Sequence, residues 1–343
     1  MRQQILKLNE VKQLDKNSDF MTMGIITRIS TRRDRNDNIF WDLAITDPTG
    51  EIEGKAWSTS SWWNNQGGDK FMIDPDNCGF KIEGLTAGFI GIVGDFKGQI
   101  QYNFNEIYIL DQNQYPPTKF TKRSMLSQDF LENTFKKLID EVSSEPIRSF
   151  LNAVFFKHGL WEKFRLWPAA VSLHHAYTGG LLEHSVSVAL GAKGIAEHYE
   201  EFKIPVDIDL IVAGALLHDI GKIEAYASEP VPALNAKGNV LEHTTLGYGM
   251  FLRYAEIEKL DNDITLAISH IILSHHGRKE YGAPVLPGTP EAMIISAADD
   301  VDFKLTYWKT QIDALGSQGD VTEFLPMIER RLWRGTSYNI IKD

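Results

Sequence analysis

The chain has 343 residues, 43% of them hydrophobic, a formal net charge of −11 and a single cysteine, Cys78. That length allows two domains with cores of their own, while one cysteine excludes disulfides and any thiolate-built zinc site and fits a cytoplasmic home. The acidic balance excludes purely electrostatic, nonspecific binding to duplex nucleic acid, but not a short groove that holds a single strand by stacking.

No apolar run reaches the roughly eighteen residues of a membrane span, and Met1–Glu10, with Arg2, Lys7 and Glu10, does not read as a signal peptide. From Phe20 to Leu110 the text is β. Met21–Ile29 is a strand candidate, Phe40–Thr46 alternates, and Asp47-Pro48-Thr49-Gly50 is a turn signal before a return strand, Ile52–Trp57. Leu85–Asp95 and Gln99–Ile109 form another pair, joined near Lys97-Gly98. The stretch between these pairs, Ser58–Gly84, is a long insertion with helical potential. Five strands so spaced predict a Greek-key barrel of the oligonucleotide/oligosaccharide-binding (OB) type over residues 1–112. Such barrels bind single strands on the face of their second and third strands. Here that face offers either Phe40 or Trp41, together with Trp57, with Arg28, Arg32, Arg33 and Arg35 nearby, the combination that stacking plus phosphate contact requires. The alternative is that the aromatics are core and the arginines solvate a hairpin.

Residues 113–126, with Pro116-Pro117, read as a linker. Residues 127–343 have a helical period and scarce strand signals, which predicts an all-α bundle. Helices are expected at Phe130–Val142, Ser149–Phe164, Leu182–His198, Asp207–His218, Thr244–Tyr254, Asp263–His275 and Glu291–Trp308.

All ten histidines lie between His158 and His276. The apolar run Ile211–Leu217 ends in His218-Asp219, a pair that is expensive to bury without a partner. The ordered series His184, His218-Asp219, His243, His275-His276, Asp299 supplies that partner as metal ligands. Asp219 can bridge two ions. His184, His218 and Asp299 complete one site, and His243, His275 and His276 the other, with Asp300 as the alternative to Asp299. Nitrogen and oxygen donors suit manganese, iron, magnesium, zinc or nickel. Two divalent ions can clamp the attacking and leaving oxygens of a phosphoryl displacement. Asp219, His218 and Lys222 are the expected catalytic residues. Lys222, Arg278 and Lys279 are candidates for phosphate contact, and His174, His175 and His270 for orienting the ligands or substrate from behind.

The His184…His218-Asp219…Asp299 pattern resembles the HD phosphohydrolase superfamily. The runs 173–185, Gly214–Lys222, Leu273–Gly277 and Glu280–Val285 are similar to the YhaM-type 3′-to-5′ exoribonucleases, which join an OB fold to an HD domain. The resemblance implies removal of nucleotides from a single-stranded 3′ end, dependent on manganese or a similar metal; RNA is the expected substrate, with single-stranded DNA left open as a second. A homo-oligomer is compatible with it. Two other readings remain open: a phosphohydrolase for a small nucleotide or cyclic dinucleotide, and a nucleic-acid-binding regulator without turnover.

Overall fold

The computed structural model describes all residues except 1–3, 69, 122–123, 125, 172–174, 228–231, 316–318 and 337–343. The chain divides into two compact units, Met1–Lys122 forming the first and nearly all later residues the second. The division falls inside the expected linker, where Pro117–Lys119 forms a 3-10 turn. No helix among the described residues is long and apolar enough to cross a membrane.

The first unit is a barrel of five main strands, β1 (Asp19–Arg33), β2 (Ile39–Asp47), β3 (Gly50–Trp57), β4 (Thr86–Phe96) and β5 (Gln99–Ile109). β1 pairs antiparallel with β2 and with β4, β2 with β3, and β4 with β5. A short parallel seam, Gly54 opposite Tyr102 and Lys55 opposite Asn103, closes β3 on β5. The resulting order, 1-2-3-5-4 and back to 1, is that of an OB barrel. The turn before β3 is built on Asp47, whose Oδ1 accepts from the Thr49 and Gly50 amides at 2.7 and 3.0 Å. Its Oδ2 accepts from the Leu8 amide, 2.9 Å away, and so holds the N-terminal segment that buries Leu8 and Val11.

Residues 58–84 are not the helical insertion expected. Among the described residues their helical content is one 3-10 turn, Gln66–Gly68, and the strand Ser61–Asn64 pairs in parallel with Glu106–Ile109, continuing the seam beyond the end of β3. This places Trp62 in the barrel core, edge-on to Trp41 at 5.7 Å.

The second unit is helical. Its main helices are α1 (Gln128–Asp140), α2 (Glu145–Asn152), α3 (Gly180–Glu201), α4 (Ile208–Leu217), α5 (His243–Glu258), α6 (Asn262–Ser274) and α7 (Pro290–Leu315). Ser127 and Asp207 cap α1 and α4 by accepting from the amides of Phe130 and Leu210. Residues 149–164 do not form one helix. Chain that begins in α2 widens into a π turn at Ala153–Lys157, turns at Gly159 with φ of 73°, and resumes at Trp161–Phe164. That break lets Phe155, Trp161 and Phe164 all pack on Phe135. α4 is the bundle's centre, with Ile211 to Leu217 buried throughout. Gly214 allows its neighbours close, since a Cβ there would lie 2.7 Å from Ile271 and 2.8 Å from Ile295.

The barrel seam tolerates no side chain at Gly54, where a Cβ would meet the Tyr102 carbonyl oxygen and the Phe104 ring, each at 2.6 Å. Gly54→Ala is expected to cost about 1–3 kcal/mol through overpacking. Urea denaturation followed by tryptophan fluorescence measures it, and an unchanged midpoint would count against this account of closure.

Candidate metal centre and strand-binding face

α4 ends at His218, and its buried run delivers His218 and Asp219 into the bundle interior. His184 comes from the first turns of α3, His243 from the N-terminus of α5, His275 and His276 from the end of α6, and Asp299 from α7. Gly221 locks two of these elements together. A Cβ there would lie 1.9 Å from the His243 carbonyl oxygen, so the turn after Asp219 can sit against the start of α5 only with glycine.

The Asp219 carboxylate lies between two sets of imidazoles. Its Oδ2 is 3.3 Å from the Nε2 atoms of both His184 and His218, and His184 Nε2 is 3.2 Å from Asp299 Oδ1. Its Oδ1 is 3.4 Å from His243 Nε2 and 3.7 Å from His275 Nε2, with His276 Nε2 a further 3.0 Å from His243 Nε2. Donor atoms of His184, His218 and Asp219 gather within 4.8 Å of one another, as do those of His243, His275 and His276. The sequence-derived ligands are therefore brought together in the two groups expected. Asp300 instead faces outward and pairs with Lys304.

The donor set fits divalent cations. Asp219 Oδ1 is buried with no hydrogen-bond donor, a costly state for a carboxylate oxygen unless a cation meets it. Opposing nitrogens also approach closely, His184 Nε2 to His218 Nε2 at 3.2 Å. The far ring nitrogens are engaged: His184 Nδ1 with Asp302 Oδ2 at 2.8 Å, His218 Nδ1 with the Ala215 carbonyl and His275 Nδ1 with the Ile272 carbonyl, both at 2.7 Å. Each Nδ1 donating to such an acceptor leaves an Nε2 lone pair facing inward, the tautomer a metal ligand needs.

The electrostatics agree. Burial pushes His243 down to about 3 and His275 well below the ordinary imidazole value, so both stay neutral, the ligating form. Burial opposes ionisation of Asp219, but Lys222 and His218 outweigh it and hold the carboxyl well below its usual range. Burial also opposes protonation of His184, yet its bonds to Asp219, Asp299 and Asp302 hold it well above the ordinary value. Three carboxylates around one imidazole thus favour positive charge at that point.

Two supporting residues differ from expectation. Lys222 does not face a substrate: it is buried, and its Nζ donates to Asp219 Oδ2, making it the charge partner of the bridging carboxylate. His270 does not support the cluster: its Nε2 accepts from the Gly288 amide at 2.8 Å and so holds the proline-rich loop. His175 does act from behind, with Nε2 3.1 Å from Asp302 Oδ2 and Nδ1 2.9 Å from the Tyr177 hydroxyl, which donates to Glu183. His174 lies outside the described residues. Sequence reasoning missed the role of Asp302, whose carboxylate joins His175 to His184; the signal was its place three residues after Asp299, on the same face of α7.

On the barrel, Trp41 is a core residue and not a stacking platform. Register sets it opposite Ala56, 9% exposed, with its indole donating to Asp76 Oδ1 at 3.1 Å. Phe40 and Trp57 are paired on the outer face, ring centres 5.2 Å apart. Phe40 is itself buried there, so Trp57, half-buried and tied to Asn103 by its indole, is the ring left for a ligand, with Lys55 Nζ 5.5 Å from its centre. Arg28 is paired with Glu53 at 2.9 Å, Arg32 with Asp42 at 2.8 Å and Arg33 with Asp37 at 3.1 Å. Their charges are locally balanced. Arg278 and Lys279 are exposed just beyond the paired histidines.

Residues 181–304 match the HD domain family. The chain is 27% identical over 297 residues to the 3′-5′ exoribonuclease YhaM of Bacillus subtilis (strain 168), covering 86% of this chain and 88% of that protein. Among solved structures, the HD domain of the L. monocytogenes phosphodiesterase PgpH overlaps 46% of this chain and 82% of that one at 22% identity and a TM-score of 0.29. A domain of replication protein A from Methanococcus maripaludis overlaps 32% of this chain and 97% of that one at 16% identity and a TM-score of 0.22. Structural overlaps this loose carry no weight on function.

Asp302 gives a test that is independent of activity. Asp302→Asn leaves every proposed ligand in place but weakens the acceptor that orients His184. Manganese affinity, read by calorimetry, is expected to fall about 10–100-fold, as for other residues that hold metal-ligating histidines. Wild-type affinity in the variant would remove Asp302 from this role.

Proposed function

We propose that the chain is a metal-dependent 3′-to-5′ exonuclease acting on single-stranded RNA, with single-stranded DNA as a second substrate. One observation carries the chemistry: the buried Asp219 carboxylate has a set of imidazoles on each oxygen, and one of those oxygens has no donor of its own. The similarity to an exoribonuclease over most of both chains supports the substrate class and direction.

His184, His218, Asp219 and Asp299 would hold one divalent ion, and Asp219, His243, His275 and His276 the other, with manganese the first choice. Two such ions supply Lewis acidity toward the phosphodiester and lower the pKa of water toward about 7. The residues themselves do the rest. Asp219 spans the two groups and fixes their separation. Lys222 neutralises part of the bridging charge, and Asp302 and the Ala215 and Ile272 carbonyls fix which nitrogen of each ring faces inward. The buried, largely apolar surround of α4 excludes bulk water from all but the reacting face.

Trp57 and Lys55 on the barrel's outer face are suited to hold the strand by stacking and a single cation. Stacking tolerates any base, which a general exonuclease needs. In a metal-site-dead background, Trp57→Ala is expected to weaken single-strand binding by about 1–3 kcal/mol, more than Arg28→Ala, Arg32→Ala or Arg33→Ala. Salt dependence should be shallow, since few phosphates are neutralised. Trp41→Ala should act by unfolding the barrel, at about 3–5 kcal/mol. Fluorescence anisotropy at two salt concentrations with parallel thermal melts separates these effects; a steep salt slope with Trp57→Ala silent would show that phosphate contacts dominate.

The reaction itself is tested with 5′-labelled single-stranded RNA. The expected result is a ladder shortening from the 3′ end to mononucleotide products, abolished by chelator and by Asp219→Ala. Intact RNA alongside turnover of a cyclic dinucleotide would replace this reading with that of a small-nucleotide phosphohydrolase.

A further inference from the structure

The cluster opens, at its His276 end, into a cleft of about 500 Å³ lined among others by Arg278, Tyr281, Met293, Asp300 and Lys304. That is within the roughly 300–1,000 Å³ of small-molecule sites. We propose that this cleft receives the 3′-terminal nucleotide, whose base stacks on Tyr281 and whose charge is met by Arg278. The inference rests on the exonuclease reading and names the part of the substrate that the site grips.

The cleft wall is held in shape by local bonds. Gly277 turns the chain with φ of 72° where a Cβ would lie 2.5 Å from Ser296 Oγ, so the turn is pressed against α7. The Arg278 amide donates to the His276 carbonyl at 2.8 Å, and the Tyr281 and Ala283 amides donate back to the Arg278 carbonyl, both at 3.1 Å. The two side chains are therefore presented on a short, bonded loop directly after a proposed ligand.

The chemistry of the wall suits a nucleotide. Tyr281 is 62% exposed and Met293 55%, an aromatic and a soft apolar surface left open to water beside a buried polar centre. The Arg278 guanidinium carbon is 5.8 Å from the Tyr281 ring centre, and Arg278 has no carboxylate partner among the described residues, unlike Arg28, Arg32 and Arg33. In a chain of net charge −11, an unpaired cation at this place is suited to an anion such as a phosphate. Asp300, balanced by Lys304, leaves a carboxylate oxygen that can accept from ribose hydroxyls.

The test is calorimetric titration of the full chain with adenosine and uridine 5′-monophosphate, comparing wild type, Tyr281→Ala, Tyr281→Phe and Arg278→Ala. Both alanine variants should bind about tenfold more weakly, in line with the loss of a stacked ring or a charge-assisted contact. Tyr281→Phe should bind as wild type, since the ring and not the hydroxyl makes the contact. Metal content, measured by elemental analysis, should be equal in all four. Unchanged affinity in both alanine variants, or no binding by wild type at millimolar nucleotide, overturns the assignment. The RNA ladder assay keeps the two readings apart. A wild type that shortens RNA while the alanine variants bind mononucleotide normally loses the cleft but keeps the exonuclease. A wild type that binds mononucleotide through Tyr281 and leaves RNA intact keeps the cleft and loses the exonuclease.

Discussion

A buried carboxylate with charge demands on both oxygens is the constraint around which the helical unit is organised. Removing an ion from water costs several kcal/mol even after relaxation, and only close, well-placed partners repay it. Asp219 obtains them from α3, α5 and α6 together with its own turn, so those elements must converge. The apolar run of α4 supplies the burial, Gly214 lets α6 and α7 close on it, and Gly221 lets α5 start against the turn. Lys222 neutralises one oxygen from within, leaving the other dependent on a cation from outside. Binding such a cation would also draw protons from the surrounding imidazoles, which couples metal affinity to pH.

The barrel solves a different problem with the same device of close backbone approach. Closing five strands requires β3 to reach β5, and this seam is parallel and only two residue pairs long. Gly54 permits that approach, and the strand at Ser61–Asn64 takes over the pairing where β3 ends. An insertion that reads as an interruption is thus a structural part of the barrel wall.

Strands and helices were legible in the sequence wherever periodicity was unbroken. Gln99–Ile109 has the bounds expected, and β2 and α6 differ from expectation by a residue or so at each end. The convergence of the histidine and aspartate series was legible because imidazoles and carboxylates in apolar runs have few other uses. What failed had local causes. The period across residues 149–164 hides a π turn, because the same apolar residues fit a continuous helix and a broken one. Phe40 and Trp41 are adjacent aromatics, so alternation requires one inside and one outside but does not say which; the pairing of Trp41 with Ala56 decides it. Lys222 read as a phosphate contact because one position after a glycine carries no sign of depth. Asp302 was hidden behind Asp299, since a carboxylate that holds a candidate ligand and one that is a candidate ligand look alike in sequence.

The distribution of charge bears on how a strand would be gripped. Arg28, Arg32 and Arg33 lie near the barrel's outer face, yet each already faces a carboxylate. An exposed ion pair is worth only about 0–1 kcal/mol, so a phosphate could displace the carboxylate at little cost. The displaced carboxylate would remain nearby, however, and cancel most of the attraction gained. Net affinity must then come from contacts that carry no such opposing charge, and aromatic rings are of that kind. If the chain acts as the proposed exonuclease, a strand shortened one nucleotide at a time would also present a new base at each step. Contacts that read base edges would favour some steps over others, whereas a ring accepts every base by its face. On the proposed exonuclease reading, the paired arginines and the half-buried Trp57 ring would serve one requirement: a grip that holds any sequence without holding the phosphates too tightly to let the strand advance.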